Sequence, residues 1–139
     1  MVTIGEGQTF YREVSDNTEL FWEKGPQGGH HIWVALRQRG LRMRGTIITI
    51  DLEDVENPGM VKLLNHSRLI YDFDKDEGYD PQKGGFCTRS GLRMQIDNAG
   101  GAPLAEIQGH HVKITTTLND PDGAKAVGTR TVIVKGTLD

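Results

Sequence analysis

Four of the five histidines stand in two copies of one phrase, Gln27-Gly28-Gly29-His30-His31 and Gln108-Gly109-His110-His111. Imidazole is the commonest metal ligand in proteins, and a few imidazoles together hold Zn or Cu. The glycines before each pair would let backbone and solvent come close. His30, His31, His110 and His111 are therefore candidate Cu or Zn ligands. Glu23, Met60, Cys87 and Glu106 are available to complete a shell, and nothing in the sequence chooses among them. The plainer reading is structural: a histidine at a strand start is often half-buried and hydrogen-bonded to a loop.

A second set of residues could bind a harder cation. Asp72-Phe73-Asp74-Lys75-Asp76-Glu77-Gly78-Tyr79-Asp80 places carboxylates at alternate positions. Calcium loops gather oxygen ligands in this way, so Asp72, Asp74, Asp76 and Asp80 are calcium candidates. The stretch departs from an EF-hand loop: Gly78 falls one place late, Lys83 stands where the bidentate Glu belongs, and no helices flank it. The competing reading is a solvated loop whose charge blunts a strand edge. Asp120 and Asp122 are explained by a hairpin alone.

Catalytic phrases are missing. There is no G-x-S-x-G, P-loop, H-E-x-x-H or C-x-x-C. Ser67 follows His66, but sequence neighbours make no triad and no orienting acid is evident. Cys87 is the single cysteine, which excludes an internal disulfide. It reads as a strand cysteine packed like a small hydrophobe, with a reactive or metal-bound thiol as the alternative.

These residues need elements to position them. Turn clusters recur at short intervals: 15–17, 25–29, 57–59, 83–85, 98–103 and 119–123. Between them lie β-rich runs at 8–14, 19–24, 30–37, 46–52, 61–64, 69–73, 86–96, 110–118 and 130–135. Alternation such as Val112, Ile114, Thr116, Leu118 against Lys113, Thr115, Thr117 marks strands with one wet face. Only 103–107 reads as a turn of helix. The pattern predicts an all-β, Ig-like antiparallel sandwich of about seven to nine strands, as a single domain over 1–139. A jelly roll or small barrel shares the spacing.

Phase then assigns faces. His30 shares the phase of Ile32, Val34 and Leu36, and His110 that of Val112 and Ile114, so both are expected to point inward. His31 and His111 are expected to point outward. In an Ig-like order His30 opens the second strand and His110 the sixth. Those strands run the same way on facing sheets, so their starts fall at one end of the molecule. Trp33, out of phase with the core, is expected to be partly exposed, either covering the sheet or joining Phe21 and Tyr11 in an adhesive patch.

Composition sets outer limits. The chain has 139 residues, 36% hydrophobic and 25% charged, which leaves enough apolar material for a core. Net charge is -3 with both signs well mixed, so no nucleic-acid partner is expected. No apolar run is long enough to cross a membrane as a helix. The opening, MVTIGEGQTF, has neither the basic nor the apolar part of a secretory leader; a removed export segment is compatible with that.

The stretch GHHVKITTTLNDPDGAKAV followed by GTRTVIVKG resembles the end of a bacterial extracytoplasmic Ig-like domain. There a strand runs into a D-x-D-G hairpin and a final strand returns. The resemblance covers the last quarter of the chain and implies a fold and an extracytoplasmic (periplasmic or cell-surface) setting, without a specific activity. With the missing catalytic motifs it points to a non-catalytic module for binding, adhesion or structural support, its partner an unknown protein or surface ligand. A small Cu- or Zn-binding protein is the alternative.

Overall fold

The computed structural model describes residues 1–26, 28–80, 82–97 and 103–138. Gln27 of the first histidine phrase and most of the 98–103 turn lie outside the described residues. Two β-sheets pack face to face. The first has the order β2 (Arg12–Glu13), β1 (Val2–Glu6), β5 (Gly28–Gln38), β9 (Cys87–Gln95), β8 (Asp74–Lys75), and β4 (Glu23–Gly25) pairs with the opening of β5. The second has the order β3 (Glu19–Phe21), β11 (Lys125–Lys135), β10 (His110–Asn119), β6 (Thr46–Asp54), β7 (Lys62–Tyr71). Every pairing is antiparallel except that of β3 with β11, which is parallel.

This is an Ig-like arrangement. β1, β5, β9 and β8 take the places of strands A, B, E and D, and β11, β10, β6 and β7 those of G, F, C and C′. The described residues form eleven strands, more than the seven to nine expected. Four of the eleven are only two or three residues long, and the other seven carry the sandwich.

Alternation builds the core. β6 buries Ile48, Ile50 and Leu52 and turns Ile47, Thr49, Asp51 and Glu53 outward. β10 buries Val112, Ile114, Thr116 and Leu118, and β11 adds Val132 and Val134. Facing them are Ile32, Val34 and Leu36 of β5 and Leu92 and Met94 of β9. Each aliphatic side chain taken fully out of water contributes about 1.5–3 kcal/mol. One helical turn, α1 (Leu104–Ile107), forms where 103–107 suggested it and plugs the core with Ile107.

Several boundaries differ from the sequence reading. The run 19–24 is not one strand. Trp22 breaks it into β3 and β4, which belong to different sheets. Its side chain is buried, its ring covers Gly136, and its Nε1 donates to the Thr137 carbonyl at 2.7 Å. The chain thus crosses between the sheets on a tryptophan. The runs 61–64 and 69–73 fuse into the single strand β7, since polar Asn65, His66 and Ser67 pair with β6 as regularly as their apolar neighbours. β1 is not among the sequence-based runs because Val2 and Ile4 alone, beside Gly5, make a weak pattern. It pairs with β5 through all five residues.

Candidate functional site

Each histidine pair opens a long strand, as expected, and both openings lie at one end of the sandwich. Asp54 is the register partner of both Val112 and Lys62, which sets the starts of β10 and β7 side by side. Asn65 of β7 donates from Nδ2 to the Gln95 carbonyl at 2.7 Å, and Gln95 is the register partner of His31. The starts of β5 and β10 therefore share one pole while belonging to facing sheets.

The first pair is built by the β4–β5 hairpin. His30 is buried: its backbone N–H donates to Asp97 Oδ1 at 2.6 Å and its Nδ1 lies 2.7 Å from Asp97 Oδ2. His31 departs from expectation. Phase does put it on the outer face with Trp33, yet only 4% of the residue is exposed. The Trp33 ring meets it edge to face at 4.8 Å between centroids, and Glu23 of β4 lies 3.7 Å from its Nε2. That Nε2 makes no hydrogen bond. Burial, with the nearby Arg93 cation, pushes the His31 pKa down. Trp33 is half-buried; its Nε1 donates to Glu23 at 2.8 Å, and the Arg93 guanidinium lies 5.3 Å from its ring. A cleft of about 370 Å³ opens here between the hairpin glycines, His31, Arg93 and Gln95.

The second pair is clasped by the last residue of β6 and the segment that follows it. His110 Nδ1 lies 2.9 Å from Asp54 Oδ2. The expectation that His110 points into the core is corrected, since its side chain keeps 29% exposure at the rim. The carboxylate it meets is at that rim, so the ring stops there. His111 gives both its backbone N–H and its Nδ1 side to Glu56 Oε2, at 2.7 Å each, which pulls the Glu56 pKa down. His110 opens onto a different cleft, of about 210 Å³, with Met60 and Glu106 in its wall.

Each histidine pair thus meets its own acids: His30 with Asp97, His31 beside Glu23, His110 with Asp54, His111 with Glu56. His66 repeats the pattern with Asp51, its cross-strand neighbour. Of the side chains considered for a shared shell, Glu23 stands by the first pair, Met60 and Glu106 by the second. Cys87 is register-paired with Gln38 at the far end of β5, buried, its thiol pKa pushed up by burial. Among the described residues no three His, Cys, Asp or Glu groups converge as a metal ion requires.

The acidic loop also spreads its carboxylates. Asp72 accepts from the Gly45 N–H at 3.0 Å, Asp76 lies 3.1 Å from Arg37 Nε, and Asp80 accepts from the Gln82 and Lys83 N–H groups. Asp74 is exposed on β8. Asp72, Asp76 and Asp80 each tie down their own piece of chain.

Two arrangements were not visible in sequence. Asp51 supplies the acid that His66 lacked, but Ser67, the next residue on the strand, turns to the other face and donates to Asn65 Oδ1 at 2.6 Å. Asp120 does more than close its hairpin. It accepts from the N–H groups of Asp122 and Ala124 and also from Arg42, far away in sequence, which together hold its carboxyl below the usual range. Phe21 lies on β3 in the second sheet, while Tyr11 bonds to Thr3 of β1 in the first, so neither sits on the Trp33 strand.

No protein-family model and no curated protein matches the chain. One solved structure is similar, that of the CooA pilin subunit from enterotoxigenic Escherichia coli, at 13% sequence identity and a TM-score of 0.42, covering 99% of each chain. No helix among the described residues is long and apolar enough to cross a membrane.

Proposed function

We propose that this chain is a non-catalytic Ig-like module that works by contact, in binding, adhesion or structural support, in an extracytoplasmic setting. One observation carries the reading. The groups most able to do chemistry are spent in pairs that fasten chain to chain. His110 and His111 clasp the end of β6 and the residues after it to the start of β10. Asp97 fastens the segment after β9 to His30, and Asp120 fastens the β5–β6 connection to the last hairpin. Such pairs hold strand ends and loops in place, which a module that presents a fixed surface needs. The resemblance of the C-terminal hairpin to extracytoplasmic Ig-like domains supports the setting.

The test is calorimetric titration of the tag-free protein with Zn, Cu and Ca, beside a His30→Ala/His110→Ala variant. The contact-module reading expects no stoichiometric binding of micromolar strength, and a variant that melts lower without any metal-dependent difference. Micromolar or tighter Zn or Cu binding that disappears in the variant overturns it in favour of a metal-binding protein.

A further inference from the structure

The edges of the two sheets are not treated alike. β1, the opening of β5, β9 and β11 each carry a short added strand, β2, β4, β8 and β3 respectively. Short edge strands are one of the devices by which sheets avoid open-ended pairing. β7 is the exception. It runs ten residues, Lys62–Tyr71, and pairs only with β6. No backbone hydrogen bond from β7 to any other strand or loop is present among the described residues. A bulge at Leu64 interrupts it near its start, and from Asn65 to Tyr71 the ladder is regular.

The side chains along that edge have an order. Exposed apolar residues cluster at both ends: Met60, Val61 and Leu63 before the bulge, Ile70 and Tyr71 at the far end. The middle is polar, Asn65-His66-Ser67-Arg68. Lys62 and Arg68 have no carboxylate partner among the described residues of their own chain, and the strand is followed by Asp72, which lies 3.6 Å from Arg44 and keeps half its side chain exposed, and by Asp74. Apolar ends, a polar middle, cations first and anions last: turned end for end, the pattern complements itself.

We propose that β7 is a self-association edge, which a second copy of this chain extends by antiparallel strand addition about a two-fold axis near Ser67. Only an antiparallel, isologous pairing sets each half of the strand against the other half of its twin. In that register Lys62 faces Asp72 of the second copy and Leu63 faces its Tyr71. The main-chain groups that β6 leaves unused complete a ladder, which is the energy source of strand addition. The close approach of His66 to Arg68 of the second copy brings in Asp51, the carboxylate that partners His66 within each chain. The pairing makes one sheet of ten strands from two of five. It rests on the reading of the chain as a contact module and adds which edge makes the contact and with what.

The test is sedimentation velocity of the intact protein from micromolar to millimolar concentration, with two charge variants. Wild type is expected to pass from monomer to dimer across that range, more weakly in high salt. Lys62→Glu faces Asp72 with a like charge at both symmetric contacts and is expected to weaken the dimer by about tenfold. Lys62→Glu/Asp72→Lys exchanges the two charges and is expected to restore it. Both variants must melt as cooperatively as wild type, and amide exchange in the dimer must slow along residues 65–71. A protein that stays monomeric to millimolar concentration overturns the proposal, as does a dimer indifferent to both variants. Neither result touches the metal titration, so the contact-module reading is judged separately.

Discussion

His31 sits on the wet face of its strand by phase and in a dry place by contact. Trp33 and Glu23 close over it, and burial with the Arg93 charge lowers its pKa. An imidazole whose folded pKa lies below its unfolded value, near about 6.5, takes its proton more readily in the unfolded chain. Stability is therefore lost as pH falls from neutral through that value. His31→Phe keeps a ring against Trp33 and removes the proton. It is expected to lose less stability than wild type between about pH 7 and pH 5.5, read by urea unfolding at each pH. Equal losses in both proteins would remove His31 from the account. Asp120 has a carboxyl held low by three N–H donors, so its contribution is present above an unfolded value near about 3.9 and disappears as pH falls through the folded one. Asp120→Asn is expected to lower the Tm at pH 7, with a deficit that shrinks toward pH 3. The hairpin role of Asp120 was legible from Asn119-Asp120-Pro121-Asp122-Gly123. The bond to Arg42 was not, because it joins residues 78 apart. Comparable separations hid the acids of His30, His110 and His111, whereas His31 with Glu23 and His66 with Asp51 are contacts between neighbouring strands.

Among the elements, the long strands were the readable part. β6, β9, β10 and β5 announce themselves by period-two alternation because one face is core and the other water. What alternation does not encode is where a strand changes sheet. Phe21, Trp22 and Glu23 look continuous, yet Trp22 needs the core and takes the chain across. A second break lies between β5 and β9, whose register shifts between Val34 and Leu36. Gly91 makes it possible. Its φ is +73°, its N–H donates to the Gly7 carbonyl, and a Cβ there would stand 2.8 Å from the Gln8 carbonyl oxygen. Gly91→Ala meets both the left-handed backbone and that collision, and is expected to cost about 1–3 kcal/mol. The check is a denaturation midpoint, with Gly123→Ala as the control. Gly123 also has a positive φ, but nothing lies within 4 Å of its added Cβ. A variant at 91 no worse than the control would show that the loop over the bulge yields.

The whole molecule was legible as a sandwich and only dimly as a set of sites. Strand count and one-sided strands are properties of local sequence, and the expectation that both histidine pairs reach one pole followed from strand order alone. Whether they share a ligand depends on side-chain partners at that pole, and those come from β4, the segment after β9, the end of β6 and the residues that follow it. One feature of the topology reaches further. β1 begins opposite Gln38, at the pole away from the histidines, while β11 ends beside His110. The first and last strands therefore leave from opposite poles. Between them lies the parallel contact of β3 with β11, extended by the Trp22 N–H to the Lys135 carbonyl and by the Ile133 N–H to the Thr18 carbonyl. Tension applied through the two ends pulls β3 and β11 in opposite directions along their common axis. Their hydrogen bonds are then sheared together instead of being peeled one by one. Under load the lifetime of the fold is set by its unfolding rate. That small patch, with the indole of Trp22 over Gly136, and the five-residue ladder of β1 with β5 are the contacts that such a load must shear.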